Sequence, residues 1–396
     1  MVEKFPNLDA LLERAALLLR KGGGGSVLLS DPIVVKDGRR NRVVRCRVPS
    51  AESGFSSVMI KQIKEEGQRG FSDWAGLAFL SELPEAAGLV PRFCGGDIAN
   101  RFFVMEDLGT GNPLQKFLTG TDSAAAQAAL RSLASQMGRL HAVTLGKQEQ
   151  FAAIRAALPE NDGLGREREA RQWLDNRIKI EAWFQVLDCV IPAGFEACLR
   201  FISERYRQPD DFLAFTHGDP APSNNHFSDG CAWLLDFEYG GFRHALYDLT
   251  AWNILCPLPA GCVRDMSRCF REELAKAFPA ARDEARFAEE WAVVCAYRAL
   301  AMLSWIPPEI LRENRPWADD WTMREAVFAA LVRLREAAES CPRLAVVGEG
   351  AEILIAALRK RWPEYARLDE VLPRWPGLGG NRSTGNGSPA TLPGRG

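Results

Sequence analysis

The period of the apolar residues changes partway along this chain. Near the start, Leu8, Leu11, Leu12, Leu18 and Leu19 recur at helical spacing, with Asp9 at one end and Arg20-Lys21 at the other to complement the helix dipole. That spacing predicts an amphipathic helix. Gly22 to Gly25 interrupt it, and Val27-Leu28-Leu29, Ile33-Val34-Val35, Val43-Val44 and Ser57-Val58-Met59-Ile60 then read as short strands rich in branched residues. These make a small antiparallel sheet. Residues 71–83 return to a helical period, and after Pro91 the run Arg101-Phe102-Phe103-Val104-Met105 adds one more strand. Beyond Gly109 the pattern is mainly helical, over residues 124–141, 167–189, 195–206, 263–278, 286–305 and 323–336. One stretch, residues 212–238, departs from it: two short apolar strands flank Asp229-Gly230, a dipeptide suited to a tight hairpin turn.

The predicted organisation is therefore an α+β chain in three parts. Residues 1–108 form an N-terminal lobe of sheet with a leading helix, and residues 109–375 a larger, mainly helical lobe. Residues 376–396 hold almost no apolar side chain larger than alanine, too little to bury, and read as a disordered tail.

Composition narrows the classes. With 47% hydrophobic and 25% charged residues in 396, the chain is an ordinary globular protein with a sizeable core. Its 49 Lys and Arg balance 51 Asp and Glu, which argues against a dedicated nucleic-acid or membrane-surface binder. Ten cysteines are scattered without a C-x-x-C pair, as expected for reduced thiols rather than a disulfide framework or zinc ribbon. The first residues include an early acid and charges within the apolar stretch, unlike a signal peptide, and no run approaches the ~20 apolar residues of a membrane helix. A cytoplasmic location is expected.

Candidate chemistry concentrates in residues 212–238. His217-Gly218-Asp219 ends a short strand, and Asn224 follows across Pro220-Ala221-Pro222. A two-residue turn at Asp229-Gly230 sets Asn224 opposite Leu235, and a bulged turn sets it opposite Leu234; either brings it close to Asp236. One carboxylate to accept a hydroxyl proton, with an amide oxygen and a second carboxylate for Mg²⁺, is what phosphoryl transfer from ATP requires. A zinc site from His217, Asp219, Asp236 and His244 has neither the usual spacing nor a cysteine.

His217 to Asn224, followed by Asp236-Phe237-Glu238, resembles the signature of the aminoglycoside phosphotransferase and choline kinase-like family. The resemblance spans residues 31–305. It implies a two-lobed protein-kinase-like fold, ATP and Mg²⁺ as cofactors, and a small molecule with a hydroxyl group as acceptor. It also implies Asp219 as catalytic base, Asn224 and Asp236 as metal ligands, and Asp248 as a supporting residue. Lys61, at the end of a strand, takes the place of the lysine that grips the ATP phosphates. Its acidic partner aligns best with Asp73, while Glu65, Glu66 and Glu82 stand nearby. Residues 36–42 occupy the place of the phosphate-covering loop with one glycine, Gly38, so that either basic side chains assist or the segment is a plain solvated hairpin. Residues 105–109 resemble the hinge, where the backbone of Glu106 and Leu108 would meet adenine.

The remaining residues bear on the acceptor, and two other functions compete with the first. Acids (Glu160, Asp162, Glu167, Glu169, Asp175) and bases (Arg166, Arg168, Arg171, Arg177, Lys179) mix without bias toward a cationic acceptor. Trp173, Trp183, Trp252, Trp305, Trp317 and Trp321 suit either a core or a cation cage, and helical spacing favours core. A catalytically silent nucleotide-binding regulator of the same fold is the alternative function. A protein kinase is disfavoured, because Asp-Phe-Glu replaces Asp-Phe-Gly and no Ala-Pro-Glu segment follows.

Overall fold

Five strands form one antiparallel sheet, four of them built from branched and aromatic residues. The computed structural model describes residues 7–21, 27–49, 55–64, 68–159, 166–318, 321–363 and 375–379. In chain order the first elements are α1 (Leu8–Lys21), β1 (Ser30–Asp37), β2 (Asn41–Arg47), β3 (Ser57–Ile63), α2 (Gln68–Ser81), β4 (Phe93–Asp97) and β5 (Phe102–Glu106). Every sheet pairing is antiparallel, and β2 runs against β3 without a bulge from Asn41↔Ile63 to Arg47↔Ser57.

Alternation then sorts the side chains between two faces. Val44, Cys46, Val58, Ile60, Phe102 and Val104 point one way and bury themselves with Leu11 and Ala15 of α1. Lys61 points the other way, level with Val43 on β2 and Phe103 on β5. On that side α2 packs its Trp74 ring 5.9 Å from both Phe93 and Phe103. The expected strand at Val27 to Leu29 is instead an irregular segment that buries Val27 in the α1 core. The β4 strand had no signal in the sequence because it contains Gly95-Gly96. Packing demands both: a Cβ on Gly95 would lie 2.6 Å from Leu18 of α1, and one on Gly96 would lie 2.2 Å from the Trp74 ring.

Two compact units divide the chain, and the first takes in segments from well beyond the sheet: residues 1–113, 146–163 and 217–241. A cut at residue 108 thus separates pieces that pack together. Phe151, in the helix Gln148–Ala156, meets Phe79 of α2 edge-on with ring centroids 5.6 Å apart. The hairpin of Asn225–Ser228 and Cys231–Leu234 is joined through Leu234 N–H to Leu89 C=O at 2.8 Å. Asn112 and Phe227 exchange backbone hydrogen bonds as well.

The second unit comprises residues 114–145, 164–216 and 242–396 and is mainly helical. The predicted helix over 167–189 is two, Arg166–Asp175 and Arg177–Val186. The helix Leu246–Ile254 gave no amphipathic signal because every one of its residues is buried. Trp173, Trp183, Trp252 and Trp321 are buried, and Trp305 and Trp317 pack against the edge of the main core. Glu160 and Asp162 lie outside the described residues. All ten cysteines are free thiols, and no helix among the described residues is long and apolar enough to cross a membrane.

Order extends into the segment expected to be a disordered tail. Trp375 is buried and Pro376–Leu378 form a 3-10 turn. The remaining residues of that segment, 380–396, lie outside the described residues. Gly377 is buried so tightly that a Cβ there would lie 2.2 Å from the Phe117 carbonyl. Composition could not show this, since a glycine contributes contact through its missing side chain. Gly377→Val should therefore lower the unfolding free energy by about 1–3 kcal/mol, the usual cost of overpacking, as read from the urea midpoint. An unchanged midpoint would mean that this turn does not dock.

Candidate active site

The centre of the site is a buried ammonium. Lys61 projects from β3 with its side chain only 9% exposed, and its Nζ donates to Asp73 Oδ2 and to Asp236 Oδ1, each at 2.7 Å. Asp73 lies on α2 and is the acid that pairs with Lys61; Glu65 and Glu66 lie outside the described residues. The other oxygen of Asp73 accepts the Phe237 N–H at 2.6 Å, so one carboxylate ties both the lysine and the backbone that carries Asp236. Burial by itself would strip the charge from Lys61, but the flanking Asp236 and Asp73 outweigh it and hold the amine protonated. Burial likewise opposes ionisation of Asp236, and Lys61 overcomes it, keeping that carboxyl below its ordinary range. For Asp73 burial prevails, reinforced by the Asp236 charge and only partly offset by Lys61, so its carboxyl is raised.

An aspartate is one methylene shorter than the glutamate expected at this place. The helix lies close against the sheet. Gly70, one turn before Asp73, sits where a Cβ would lie 2.4 Å from Ile63 Cγ2 on β3. Any larger residue would push α2 away from the strand that carries Lys61.

The catalytic-loop candidates are fixed by backbone geometry. Asp229 and Gly230 both take positive φ, 51° and 77°, the signature of a two-residue hairpin turn twisted to match its strands. The unbulged register follows: Leu235 N–H donates to Asn224 C=O at 3.1 Å, placing Asn224 one residue from the level of Asp236. Gly218 has φ 85°, and a Cβ there would lie 2.2 Å from the Tyr239 carbonyl, so only glycine fits between His217 and Asp219. His217 is structural: Nε2 donates to Leu235 C=O at 2.7 Å and Nδ1 accepts from Asp219 N–H at 3.3 Å. Asp236 itself adopts φ 67°, a conformation costing an L residue roughly 1–2 kcal/mol, which its ties to Lys61 and Asp73 sustain.

Asp219 and Asn224 are held by the same loop. Asn224 Nδ2 donates to Asp219 C=O at 3.0 Å, which orients the amide and leaves Oδ1 with only a contact from Ser223 Oγ at 3.2 Å. Among the described residues neither the Asp219 carboxylate nor Asp236 Oδ2 accepts a hydrogen bond. Open carboxylate oxygens, beside an amide oxygen that accepts only from Ser223 Oγ among the described residues, suit hard Mg²⁺, which commonly takes one or two protein oxygens and completes its shell with phosphates and water. No group of three or more His, Cys, Asp or Glu among the described residues is placed to hold a metal ion together. Asp248, fully buried in the second unit, meets His141 Nε2 at 2.9 Å.

The two flanks of the Lys61 face differ from expectation. Gly38 N–H closes the β1–β2 turn onto Asn41 C=O at 2.9 Å and is not turned out as a phosphate cradle. At the other flank, Glu106 spends its N–H on Arg92 C=O at 2.9 Å and its carboxylate on Arg92 N–H at 3.0 Å. Asp107, unassigned in the sequence reading, locks this segment: it accepts from Ser57 Oγ at 2.7 Å, Arg45 at 2.8 Å and Gly109 N–H at 3.0 Å. Burial works to raise its carboxyl, but these donors hold it below the ordinary range. An aspartate two residues before a glycine was the only sequence signal for it.

The chain belongs to the phosphotransferase enzyme family, whose model matches residues 75–297, more than half of its length. Lys61 and Asp73 precede the matched segment, so their assignment rests on geometry. The fold is α+β, with a small antiparallel-sheet unit and a larger, mainly helical one. Among solved structures, a macrolide 2'-phosphotransferase from Brachybacterium faecium is 17% identical, with 84% of this chain and 97% of that one covered at a TM-score of 0.46. A choline/ethanolamine kinase family protein from Mesorhizobium loti is 17% identical, covering 86% and 100% at 0.43. Choline kinase from Cryptosporidium parvum is 12% identical, covering 87% and 99% at 0.46. Likenesses at these scores decide nothing about the acceptor. No curated protein matches the chain.

The dual role of Asp73 has a measurable consequence. Asp73→Ala leaves the Phe237 N–H without an acceptor and Lys61 with one carboxylate, and should lower the unfolding free energy by about 2–3 kcal/mol in urea titrations. Asp73→Asn keeps an oxygen for Phe237 N–H and should lose less. Equal losses would show that the bond to Phe237 does not matter.

Proposed function

We propose that this protein is an ATP- and Mg²⁺-dependent kinase of a small molecule, moving the γ-phosphate of ATP to a hydroxyl of an amino sugar, amino alcohol, sugar or related metabolite. The observation that carries the reading is the buried Lys61 shared between Asp73 and Asp236, in a chain that also sets Asp219 and Asn224 on the loop leading to Asp236. In this reading Lys61 supplies a fixed positive charge to the phosphates of the nucleotide. Asp219, with an uncommitted carboxylate, receives the proton of the acceptor hydroxyl as its oxygen attacks phosphorus. Asn224 and Asp236 would hold Mg²⁺, which when bound neutralises charge developing on the phosphate oxygens. The segment Glu106 to Leu108, stiffened by Asp107, would meet the base through backbone groups other than the Glu106 N–H, which is bonded to Arg92.

Asp219→Asn preserves size and removes the base, so turnover should fall by ~10²–10⁴ while Mg-ATP still binds. Asp236→Asn removes a negative ligand and should reduce both Mg-ATP affinity and turnover. ATP consumption across a panel of amino sugars, sugars, amino alcohols and nucleosides identifies the acceptor for the assay, and calorimetry with and without magnesium reads the affinities. Full activity in Asp219→Asn, or undiminished Mg-ATP affinity in Asp236→Asn, would overturn these roles.

A further inference from the structure

The segment where a glycine-rich phosphate loop is expected is a basic hairpin, and the structure sorts its cations. Arg42 and Lys64 are consumed within the turn. Arg42 holds Asp37 through Nε at 3.2 Å and a terminal nitrogen at 3.1 Å, while Lys64 Nζ reaches Asp37 at 2.8 Å and Gly38 C=O at 3.1 Å. With Gly38 N–H bonded to Asn41 C=O, the turn is closed from inside and its glycine amide is spent. Lys64 N–H also donates to Arg40 C=O at 2.9 Å, pinning the backbone of Arg40 against the end of β3.

Arg40 points elsewhere. One terminal nitrogen spans Glu238 Oε1 at 3.0 Å and Oε2 at 3.3 Å, and Glu238 is two residues beyond Asp236. The arginine side chain is 36% exposed and the glutamate 14%. The hairpin is thereby fastened to the segment that carries the candidate metal ligand, with a guanidinium at the join. Carboxylate and phosphate present similar oxygen pairs to a guanidinium, and the phosphate bears more charge.

We propose that Arg40 is a nucleotide-phosphate ligand of this enzyme, standing in for the absent glycine-rich loop, and that Glu238 is the positioning residue that holds it in place before nucleotide arrives. The proposal rests on the nucleotide site assigned above. On binding, the guanidinium exchanges part of its contact with Glu238 for the phosphate tail. Because its backbone is already fixed by Lys64, little ordering is left to be done at that moment.

The test compares Arg40→Met, Glu238→Gln and Lys61→Met in the full chain by calorimetry with Mg-ATP and with adenosine, which has no phosphate. Arg40→Met should weaken Mg-ATP roughly ten- to hundredfold, as for a lost charge-assisted hydrogen bond, and leave adenosine unchanged. Amide hydrogen exchange over residues 38–43 gives a second readout. Both Arg40→Met and Glu238→Gln should exchange faster than the parent without nucleotide, and Mg-ATP should restore protection only where Arg40 remains. If Lys61→Met weakens Mg-ATP and Arg40→Met does not, the role of Arg40 is overturned while the nucleotide site stands. If neither weakens it, the nucleotide site itself is wrong. Equal loss of Mg-ATP and adenosine in Arg40→Met would reduce Arg40 to a structural tie, and that too overturns the proposal.

Discussion

A lysine amine taken out of water must be matched by charge, or it loses its proton. Lys61 is matched twice, by carboxylates 12 and 175 residues away in the chain, and this double match fixes three elements against one another. The β3 strand supplies the cation, α2 supplies Asp73, and the turn after the hairpin supplies Asp236. Asp73 also accepts the next backbone N–H along that turn, so the strained φ of Asp236 is held from two sides. Breaking one contact therefore loosens the others, and the geometry of the site depends on the ion pair more than on any loop around it.

Close approach makes that contact possible. Gly70 lets α2 lie against Ile63, so the short side chain of Asp73 reaches Lys61. Gly96 accepts the Trp74 ring, and Trp74 and Asp73 are neighbours on the same helix, seated by the same approach. A larger residue at either position would move the acid relative to the strand.

The helical unit handles charge differently, by enclosing it with aromatic rings. Arg243 meets Glu169 through Nε at 2.8 Å, and the same carboxylate accepts the Tyr206 hydroxyl at 2.8 Å. Tyr206 stacks on Tyr297 with centroids 3.8 Å apart, and Trp173 stacks on Tyr297 at 5.1 Å. Arg298 lies 3.5 Å from the Tyr247 ring centre and donates to the Tyr247 carbonyl. The Tyr247 ring already faces the guanidinium groups of Arg243 and Arg298. They form part of the core, as helical spacing of the tryptophans indicated, and Glu169 is committed to Arg243 rather than left to attract a cationic acceptor.

Local pattern alone determined the leading helix, four of the sheet strands, the hairpin at Asp229-Gly230 and the motif running from His217 to Asp236, because period, turn chemistry and motif spacing depend on residues near one another in the chain. It also nominated Lys61. Only the tertiary structure decided what depends on distant approach: which acid pairs with Lys61, why β4 is a strand despite two glycines, that Gly377 docks, and that Asp107 locks its segment. The same holds for Arg40 and Glu238, which are 198 residues apart. A side chain's charge is written in the sequence, but its partner is set by which backbones can come close enough to touch.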